Sequence, residues 1–150
     1  MSESNQPLVC ICIPAYNAAA TIGATLDSVL TQSYSNLRVL VVDNQSTDET
    51  VDIVKRVRDA RVVLYRNERN LGGEGNFNRC IELASGKYMA IYHADDIYEP
   101  EMVAVQVQFL ETYPQARAVF TEASLIDQEG RFIGELRQPK YLEADRKSVV

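Results

Sequence analysis

The sequence predicts an α/β protein with a doubly wound, mainly parallel sheet and helices on both faces. Short, continuously apolar runs such as Leu8–Ile13 are typical of strands buried inside such a sheet. Stretches with helical periodicity separate these runs, and the alternation of strand and helix occurs four times. Polar residues gather where the predicted strands end, which is the edge where open α/β sheets bind ligands.

The composition is that of one soluble domain. The chain has 150 residues, of which 46% are hydrophobic and 24% charged, and this length is enough for a single core. The formal charge of −6 argues against a nucleic-acid partner, because phosphate backbones attract clustered Lys and Arg. Residues 1–7 are polar, unlike a secretory signal, and no apolar run reaches the roughly 18 to 20 residues that span a bilayer. We expect a cytoplasmic protein with residues 1–7 flexible.

The first two predicted strands each lead through a polar turn into a helix. Residues 8–13 end at Pro14, and Asn17 is expected to cap the following helix. The apolar positions of that helix are Ile22, Leu26, Val29 and Leu30. Residues 38–42 form the second strand, and Ser46 and Glu49 after it have the spacing of a capping box, which predicts a helix from about Thr47.

The rest of the chain continues the alternation. A third strand over residues 61–65 and a glycine-rich polar loop precede a helix that ends at Gly86. The positions with the clearest helical spacing are Phe77, Cys80, Ile81 and Ala84. Residues 87–92 predict a buried strand, and a helix opens at Pro100. Residues 116–126 and 131–136 are predicted strands, and the tail from Gln138 has no clear period.

Asp95 and Asp96 follow the strand over residues 87–92. Adjacent carboxylates at the end of a buried strand are costly unless a positive charge lies against them. Mg²⁺ or Mn²⁺ bridging to phosphates would supply that charge, since both cations prefer hard oxygen ligands. The alternative is a helix start with solvated acids. His93 is either a neutral residue ending the strand or a ligand that would favour Mn²⁺.

The three cysteines have two possible roles. Cys10 and Cys12 alternate with apolar residues in the first strand, and Cys80 lies on a helix face. A metal site would need further ligands, so we expect small buried hydrophobic residues.

Polar residues at three strand ends are expected to converge on one ligand. They are Tyr16 and Asn17, Asp43 and Asn44, and Asp95 and Asp96. A dinucleotide-binding fingerprint would place G-x-G-x-x-G directly after the first strand, but the chain has Pro14-Ala-Tyr-Asn17 there, and it has no P-loop motif. The pattern favours a different kind of nucleotide site.

From Leu8 to about Gly134 the chain resembles the family 2 glycosyltransferases, which have the GT-A, Rossmann-like fold. Five ordered blocks carry the resemblance: Pro14-Ala-Tyr-Asn17, Val42-Asp-Asn-Gln-Ser-Thr-Asp-Glu-Thr50, Asn70-Leu-Gly-Gly73, Asn78-Arg-Cys-Ile-Glu-Leu-Ala-Ser-Gly86, and His93-Ala-Asp-Asp96 followed by Pro100. Each block alone is a weak signal, and the five in order are a specific one.

The resemblance implies a set of site residues. Those expected to bind the nucleotide are Pro14, Ala15, Tyr16, Asn17, Asp43, Asn44, Asn70, Gly73, Asn78 and Asp95. Asp95 and Asp96 correspond to the family's metal motif, with Asp96 as the direct ligand. The family's base-reading pair is usually Asp-Asp, whereas here its second member is Asn44. An amide oxygen still offers a uracil or thymine N3–H an acceptor.

The resemblance also implies an activity. It is the metal-dependent, inverting transfer of a sugar from a nucleoside-diphosphate sugar, UDP- or TDP-linked, to the hydroxyl of a saccharide or lipid-linked acceptor. Residues 8–137 would form the donor-binding domain, and residues 138–150 would lead to an acceptor-binding part and a catalytic base beyond Val150. Family members can associate peripherally with the cytoplasmic face of a membrane. The alternative is a noncatalytic module of the same fold that binds a nucleotide-sugar or a partner protein.

Overall fold

A computed structural model describes residues 6–136 of the chain. Its helices and strands, in chain order, are β1 (Val9–Ala15), α1 (Ile22–Leu30), β2 (Leu37–Asp43), α2 (Thr50–Arg56), β3 (Val62–Arg66), α3 (Gly72–Leu83), β4 (Tyr88–Ile91), α4 (Met102–Thr112), β5 (Ala123–Ile126) and β6 (Phe132–Leu136). Within residues 6–136, none of the helices combines the length and the apolar character needed to cross a bilayer.

Four strands form the parallel sheet that the sequence predicts. Their order is β3-β2-β1-β4, with Val9 of β1 opposite Leu37 of β2 on one side and Tyr88 of β4 on the other. The chain adds strands in one direction from β1 to β3 and then places β4 on the opposite side of β1. Such a reversal leaves a crevice at the carboxyl ends of the two strands that flank it, where open α/β sheets bind ligands.

Alternate side chains of the central strands face two different cores. Odd-numbered residues of β1, such as Ile11 and Ile13, pack with α1, α2 and the first half of α4. Even-numbered residues, such as Cys10 and Cys12, pack against Cys80 of α3. The period of two in a strand therefore produces helices on both faces, as predicted.

The three cysteines are fully buried free thiols, which agrees with their expected role as small hydrophobic residues. The hydrogen bond between the Cys10 and Cys12 side chains, together with burial, raises the pKa of the Cys10 thiol above its ordinary value. The Cys10 thiol therefore stays protonated at neutral pH, as a core residue does.

The chain divides into two compact units, Met1–Val107 and Gln108–Val150. In the second unit β5 and β6 form an antiparallel hairpin with exposed side chains throughout most of its length. The predicted strand over residues 116–126 is shorter than expected, since only Ala123–Ile126 pairs. Phe132, Ile133 and Leu136 are among its exposed apolar residues.

Several predicted helix ends differ from the structure. The N-cap of α1 is Thr21 rather than Asn17, and α2 begins at Thr50 rather than Thr47, without a capping box. The third helix starts within the glycine-rich segment and ends at Leu83, before Gly86. Its buried residues are Asn76 and Cys80, whereas Ile81 is exposed. The predicted caps were wrong because their side chains bind other loops, as described below.

Gly86 was predicted to end the third helix, but it has a different role. Its φ is +143°, and a β-carbon there would lie 2.8 Å from the backbone oxygen of Leu8. Only glycine allows this close approach between the entry to β4 and the entry to β1.

Candidate functional site

The turns that follow β1 and β2 are joined by side-chain hydrogen bonds. The backbone N–H of Asn17 donates to Ser46 Oγ at 2.9 Å, and the N–H of Thr47 donates to Asn17 Oδ1 at 2.8 Å. The N–H of Ala18 donates to Thr50 Oγ1 at 2.8 Å. Asn17 and Ser46, which the sequence suggested as helix caps, therefore fix two neighbouring strand ends to each other.

Two residues in these turns adopt left-handed backbone conformations. Asn17 has φ 49° and Gln45 has φ 64°. The side-chain amide of Gln45 donates to the backbone oxygen of Asn67, which fastens the second turn to the segment after β3. Positive φ at a non-glycine residue is uncommon and persists where surrounding contacts hold it, often at functional sites.

Asp43, at the end of β2, is fully buried and paired. Its carboxylate accepts the N–H of Ser46 at 3.2 Å and the Arg66 Nε–H at 3.1 Å. Arg66 also donates to the backbone oxygen of Ser46 at 3.0 Å. A buried carboxylate needs such partners. This ion pair holds the end of β3 against the turn after β2.

The Asn44 side chain uses its full hydrogen-bonding capacity within the protein. Its Nδ2 donates to Asn70 Oδ1 at 3.0 Å and to the Gly72 oxygen at 3.1 Å. Its Oδ1 accepts from Asn67 Nδ2 at 3.0 Å and from the Leu71 N–H at 2.8 Å. Two donors and two acceptor positions are all that an amide offers. Asn44 thus fixes the segment that leads into α3.

Two further asparagines, which sequence reasoning missed, extend this network inward. Asn67 Nδ2 donates to Asn76 Oδ1 at 2.9 Å, and Asn76 Nδ2 donates to the backbone oxygen of Val42 at 3.0 Å. Each of the two residues is only 3% exposed. The available signal was the position of Asn76, four residues before Cys80 and hence on the same helix face.

A cavity of about 320 Å³ opens beside this network. Its lining residues are Pro14, Ala15, Tyr16, Asn44, Asn70, Gly72, Gly73, Asn76 and Phe77. Six of the residues predicted from sequence thus lie around one space: Pro14, Ala15, Tyr16, Asn44, Asn70 and Gly73. Asn17, Asp43, Asn78 and Asp95 are not among its lining residues.

Two walls of the cavity differ in character. Tyr16 on one side is 51% exposed, so one part of its ring is free to contact a ligand. On the other side Gly72 has φ +73°, which allows the chain to turn directly into α3. Apart from the neighbouring backbone, no atom lies within 4 Å of where β-carbons of Gly72 and Gly73 would be, so this wall is open.

The acid loop, residues 93–99, follows β4 at the neighbouring strand end. Asp95 and Asp96 are both exposed. The rings of His93 and Phe77 are 5.8 Å apart, so the start of the loop contacts the wall of the cavity. The Tyr98 hydroxyl accepts the His93 N–H at 2.7 Å. Burial and the Asp96 and Asp95 charges raise the pKa of Tyr98, which keeps its phenol protonated.

The two carboxylates of the acid loop suit a divalent cation that a bound phosphate ligand would also coordinate. Residues 6–136 contain no cluster of three or more His, Cys, Asp or Glu side chains able to hold a metal ion by themselves. Magnesium commonly binds through one or two carboxylates, with phosphate oxygens and waters completing its shell. Asp95 and Asp96 supply that number of carboxylates.

A family model described as "Glycosyl transferase family 2" matches residues 10–146. The chain belongs to this family. The structure has the parallel sheet of the family's GT-A fold, and solved glycosyltransferase structures match it over about 71% of its length. The family and fold predicted from the sequence are thereby confirmed.

The chain is similar to three proteins whose names or structure titles state what they transfer or bind. The UDP-Glc:alpha-D-GlcNAc-diphosphoundecaprenol beta-1,3-glucosyltransferase WfaP of Escherichia coli is 37% identical over 105 residues, which are 70% of this chain and 42% of that relative. The structure of S. aureus TarS 1-349 in complex with UDP-GlcNAc has a TM-score of 0.67 and 26% identity, and the match covers 71% of this chain and 32% of that one.

The mannosyltransferase PcManGT from Pyrobaculum calidifontis, in complex with GDP-Man and Mn²⁺, has a TM-score of 0.66 and 30% identity. The match covers 72% of this chain and 33% of that one. The chain therefore spans less than half of the length of each of these three proteins.

Proposed function

We propose that the chain is the donor-binding part of a glycosyltransferase that transfers a sugar, with inversion, from a nucleoside-diphosphate sugar to an acceptor hydroxyl. One observation carries the proposal. The ends of β1 and β2 and the start of α3 line a single cavity, and the acid loop after β4 contacts the wall of that cavity through His93 and Phe77. This edge of the sheet lies at the reversal of strand order, where nucleotides bind in open α/β folds.

The cavity residues would bind the nucleoside. Tyr16 would stack its exposed ring on the base, and Pro14 and Ala15 would lie along base and ribose. Asn44 would act mainly by holding Asn70 and Gly72 in place, since its own amide is already satisfied. Gly73 would let the backbone approach the ligand closely.

Four predicted nucleotide residues lie outside the lining: Asp95 is treated below with the cation, and the other three would act through different contacts. Asn17 and Asp43 would fix the two turns that frame the cavity, through their bonds to Thr47 and Arg66. Asn78 is exposed on α3 and would contact the donor only beyond the cavity.

Asp95 and Asp96 would hold a divalent cation, Mn²⁺ or Mg²⁺, with Asp96 as direct ligand and Asp95 contacting ribose or a metal-bound water. A bound cation would offset the negative charge of the diphosphate leaving group. The similar structure of PcManGT contains Mn²⁺ together with GDP-Man, which supports the proposal of a cation here.

The donor is proposed to be UDP- or TDP-linked. UDP-GlcNAc is bound in TarS, and WfaP is named for UDP-Glc, whereas PcManGT binds GDP-Man. The catalytic base and the contacts with a saccharide or lipid-linked acceptor are proposed to lie beyond Val150. The site of action is proposed to be the cytoplasm, at or near the membrane face.

A noncatalytic role is the second candidate. In that case the same fold would bind a nucleotide-sugar or a partner protein without chemistry. The exposed pair Asp95 and Asp96 speaks against the version that binds only a partner protein, since adjacent acids repel each other and no phosphate-bound cation would offset that repulsion.

Calorimetric titration tests the proposal. UDP, TDP and GDP are titrated into the 150-residue chain with Mn²⁺ and with EDTA, and the titrations are repeated on Asp96→Asn and on the control Glu99→Gln. Glu99 is an exposed acid of the same loop. We expect one pyrimidine diphosphate to bind in the presence of Mn²⁺, and we expect Asp96→Asn, but not Glu99→Gln, to weaken that binding at least tenfold.

Binding of equal strength in EDTA would contradict the cation site. An absence of binding by folded protein, as judged by circular dichroism, would contradict the donor site.

A further inference from the structure

A row of polar side chains on α1 faces the acid loop. Thr21, Thr25, Ser28 and Gln32 follow one another at spacings of four, three and four residues, which places them on one side of the helix and its extension. Thr25 is fully buried and Gln32 is 6% exposed. We call these four residues the α1 polar row.

Each member of the row hydrogen-bonds to the backbone of the acid loop. Thr21 Oγ1 donates to the Ala94 oxygen at 2.8 Å, and Thr25 Oγ1 donates to the Asp96 oxygen at 2.9 Å. The Tyr98 N–H donates to Ser28 Oγ at 3.1 Å, and Gln32 Nε2 donates to the Glu99 oxygen at 2.7 Å.

Gln32 also fastens the exit from the loop. Its Oε1 accepts the N–H of Val103 at 3.0 Å, in the first turn of α4. The backbone N–H of Ser33 donates to the Pro100 oxygen at 2.8 Å. Loop and helix start are therefore attached to the same face of α1.

The paired part of β4 ends at Ile91, and the Tyr92 N–H still donates to the Cys12 oxygen of β1 at 2.9 Å. Beyond that bond, the α1 polar row supplies hydrogen bonds to the backbone of the acid loop. Adjacent carboxylates also repel each other, which favours conformations that spread them apart. A backbone fixed on both sides of Asp95 restricts that freedom, since Ala94 and Asp96 are both held by threonine hydroxyls.

We infer that the α1 polar row is a positioning device for the cation site, with Thr25 as its central residue. None of the four residues lines the cavity, and their hydrogen bonds to the acid loop go to backbone atoms, so the row acts by fixing the backbone that carries Asp95 and Asp96. Partners of this kind around metal ligands typically change metal affinity about 10- to 100-fold when removed. The inference rests on the proposed function, since it assumes the cation at the acid loop.

The test uses Thr25→Val, which removes the hydroxyl at nearly constant volume, and Thr25→Ser, which keeps it. The control is Thr31→Val. Thr31 lies at the end of the same helix, is exposed, and bonds only to α1 carbonyls, at Asp27 and Ser28. Two quantities are measured on the full chain: amide hydrogen exchange over residues 93–99 without metal, and UDP affinity with Mn²⁺ and with EDTA.

We expect Thr25→Val to accelerate exchange in residues 93–99 and to reduce the Mn²⁺-dependent gain in UDP affinity about tenfold. Affinity in EDTA should stay unchanged, which a general loss of folding would not allow. Thr25→Ser should restore both quantities, and Thr31→Val should alter neither.

The positioning role of the α1 polar row is contradicted, with the cation site unaffected, if Thr25→Val keeps the wild-type Mn²⁺-dependent gain in UDP affinity. It is also contradicted if Thr25→Ser fails to restore that gain. The proposed cation site fails, and this inference with it, if the wild-type protein shows no Mn²⁺ gain. Loss of UDP binding by Thr25→Val in EDTA as well would show that Thr25 supports the whole fold and would overturn a specific positioning role.

Discussion

At the scale of single residues, Asn44 makes hydrogen bonds within the protein that its place in the sequence did not indicate. Its position among the motif blocks suggested a hydrogen-bond acceptor for a pyrimidine base. In the structure both of its amide protons are donated within the protein, to Asn70 and to Gly72. A carboxylate at this position would have no protons to donate. The requirement for a donor explains why an amide stands here.

The substitution Asn44→Asp tests this explanation. It would replace two donors with a charge facing the oxygens of Asn70 and Gly72, in a site only 3% exposed. We expect a loss of about 1 to 3 kcal/mol in the free energy of unfolding, because buried acceptors lose their partners. Urea unfolding measures the loss, and Asn78→Asp on the exposed face of α3 is the control. An unchanged or higher stability would contradict the structural role of Asn44.

At the scale of helices and strands, the sequence predicted the buried runs and faces of these elements better than the residues at which they begin and end. The apolar runs of β1 and β2 and the face of α1 were predictable, because burial of one face fixes the period of apolar residues. The caps failed because Asn17 and Ser46 bond to each other's turns, and a tertiary contact of this kind leaves no local pattern. For the same reason the α1 polar row was missed: its partners lie more than 60 residues away in sequence.

The ion pair of Asp59 and Arg61, in the segment between α2 and β3, makes the free energy of unfolding depend on pH. The Asp59 carboxylate accepts from Arg61 Nη2 at 2.8 Å, and the same guanidinium donates to the Leu30 oxygen at the end of α1 at 3.0 Å. The hydrogen bonds of Arg61 lower the pKa of Asp59 from 3.8 to about 2. A lowered folded-state pKa contributes stability above pH 3.8, and this stability is lost as the pH falls toward 2.

We therefore expect Asp59→Asn to cost about 0.5 to 1 kcal/mol at neutral pH, a range that allows for partial exposure of the pair. The difference between variant and wild type should shrink as the pH falls from 3.8 to about 2. Urea unfolding at several pH values measures it, with Glu68→Gln in an exposed loop as the control. A difference that stays constant over this range would rule out the ion pair as its cause.

At the scale of the whole molecule, the described residues of the proposed donor site all lie in the first unit. Every residue that lines the cavity, and the entire acid loop, lies within Met1–Val107. The β5–β6 hairpin of the second unit exposes apolar side chains on both strands, and a two-stranded hairpin alone is marginally stable. The parallel sheet was predictable from the alternation of elements, whereas this hairpin's exposure was not.

The grouping of strand ends into one site was predictable for a general reason: parallel strands share a carboxyl edge. Which residues reach the cavity was only partly predictable. The side chains of Asp43 and Asn17 bond to loop residues, and motif spacing does not indicate which contacts a side chain makes.

The most direct test of the donor site is an NMR map of nucleotide and Mn²⁺ on the ¹⁵N-labelled chain. We predict that UDP shifts the amide signals of Tyr16, Gly72 and Gly73, and that Mn²⁺ added with UDP broadens those of residues 93–97. Matching changes at both places would support one site formed by the cavity and the acid loop. Binding accompanied by shifts confined to residues 108–136, with Tyr16 and Gly73 unaffected, would contradict it.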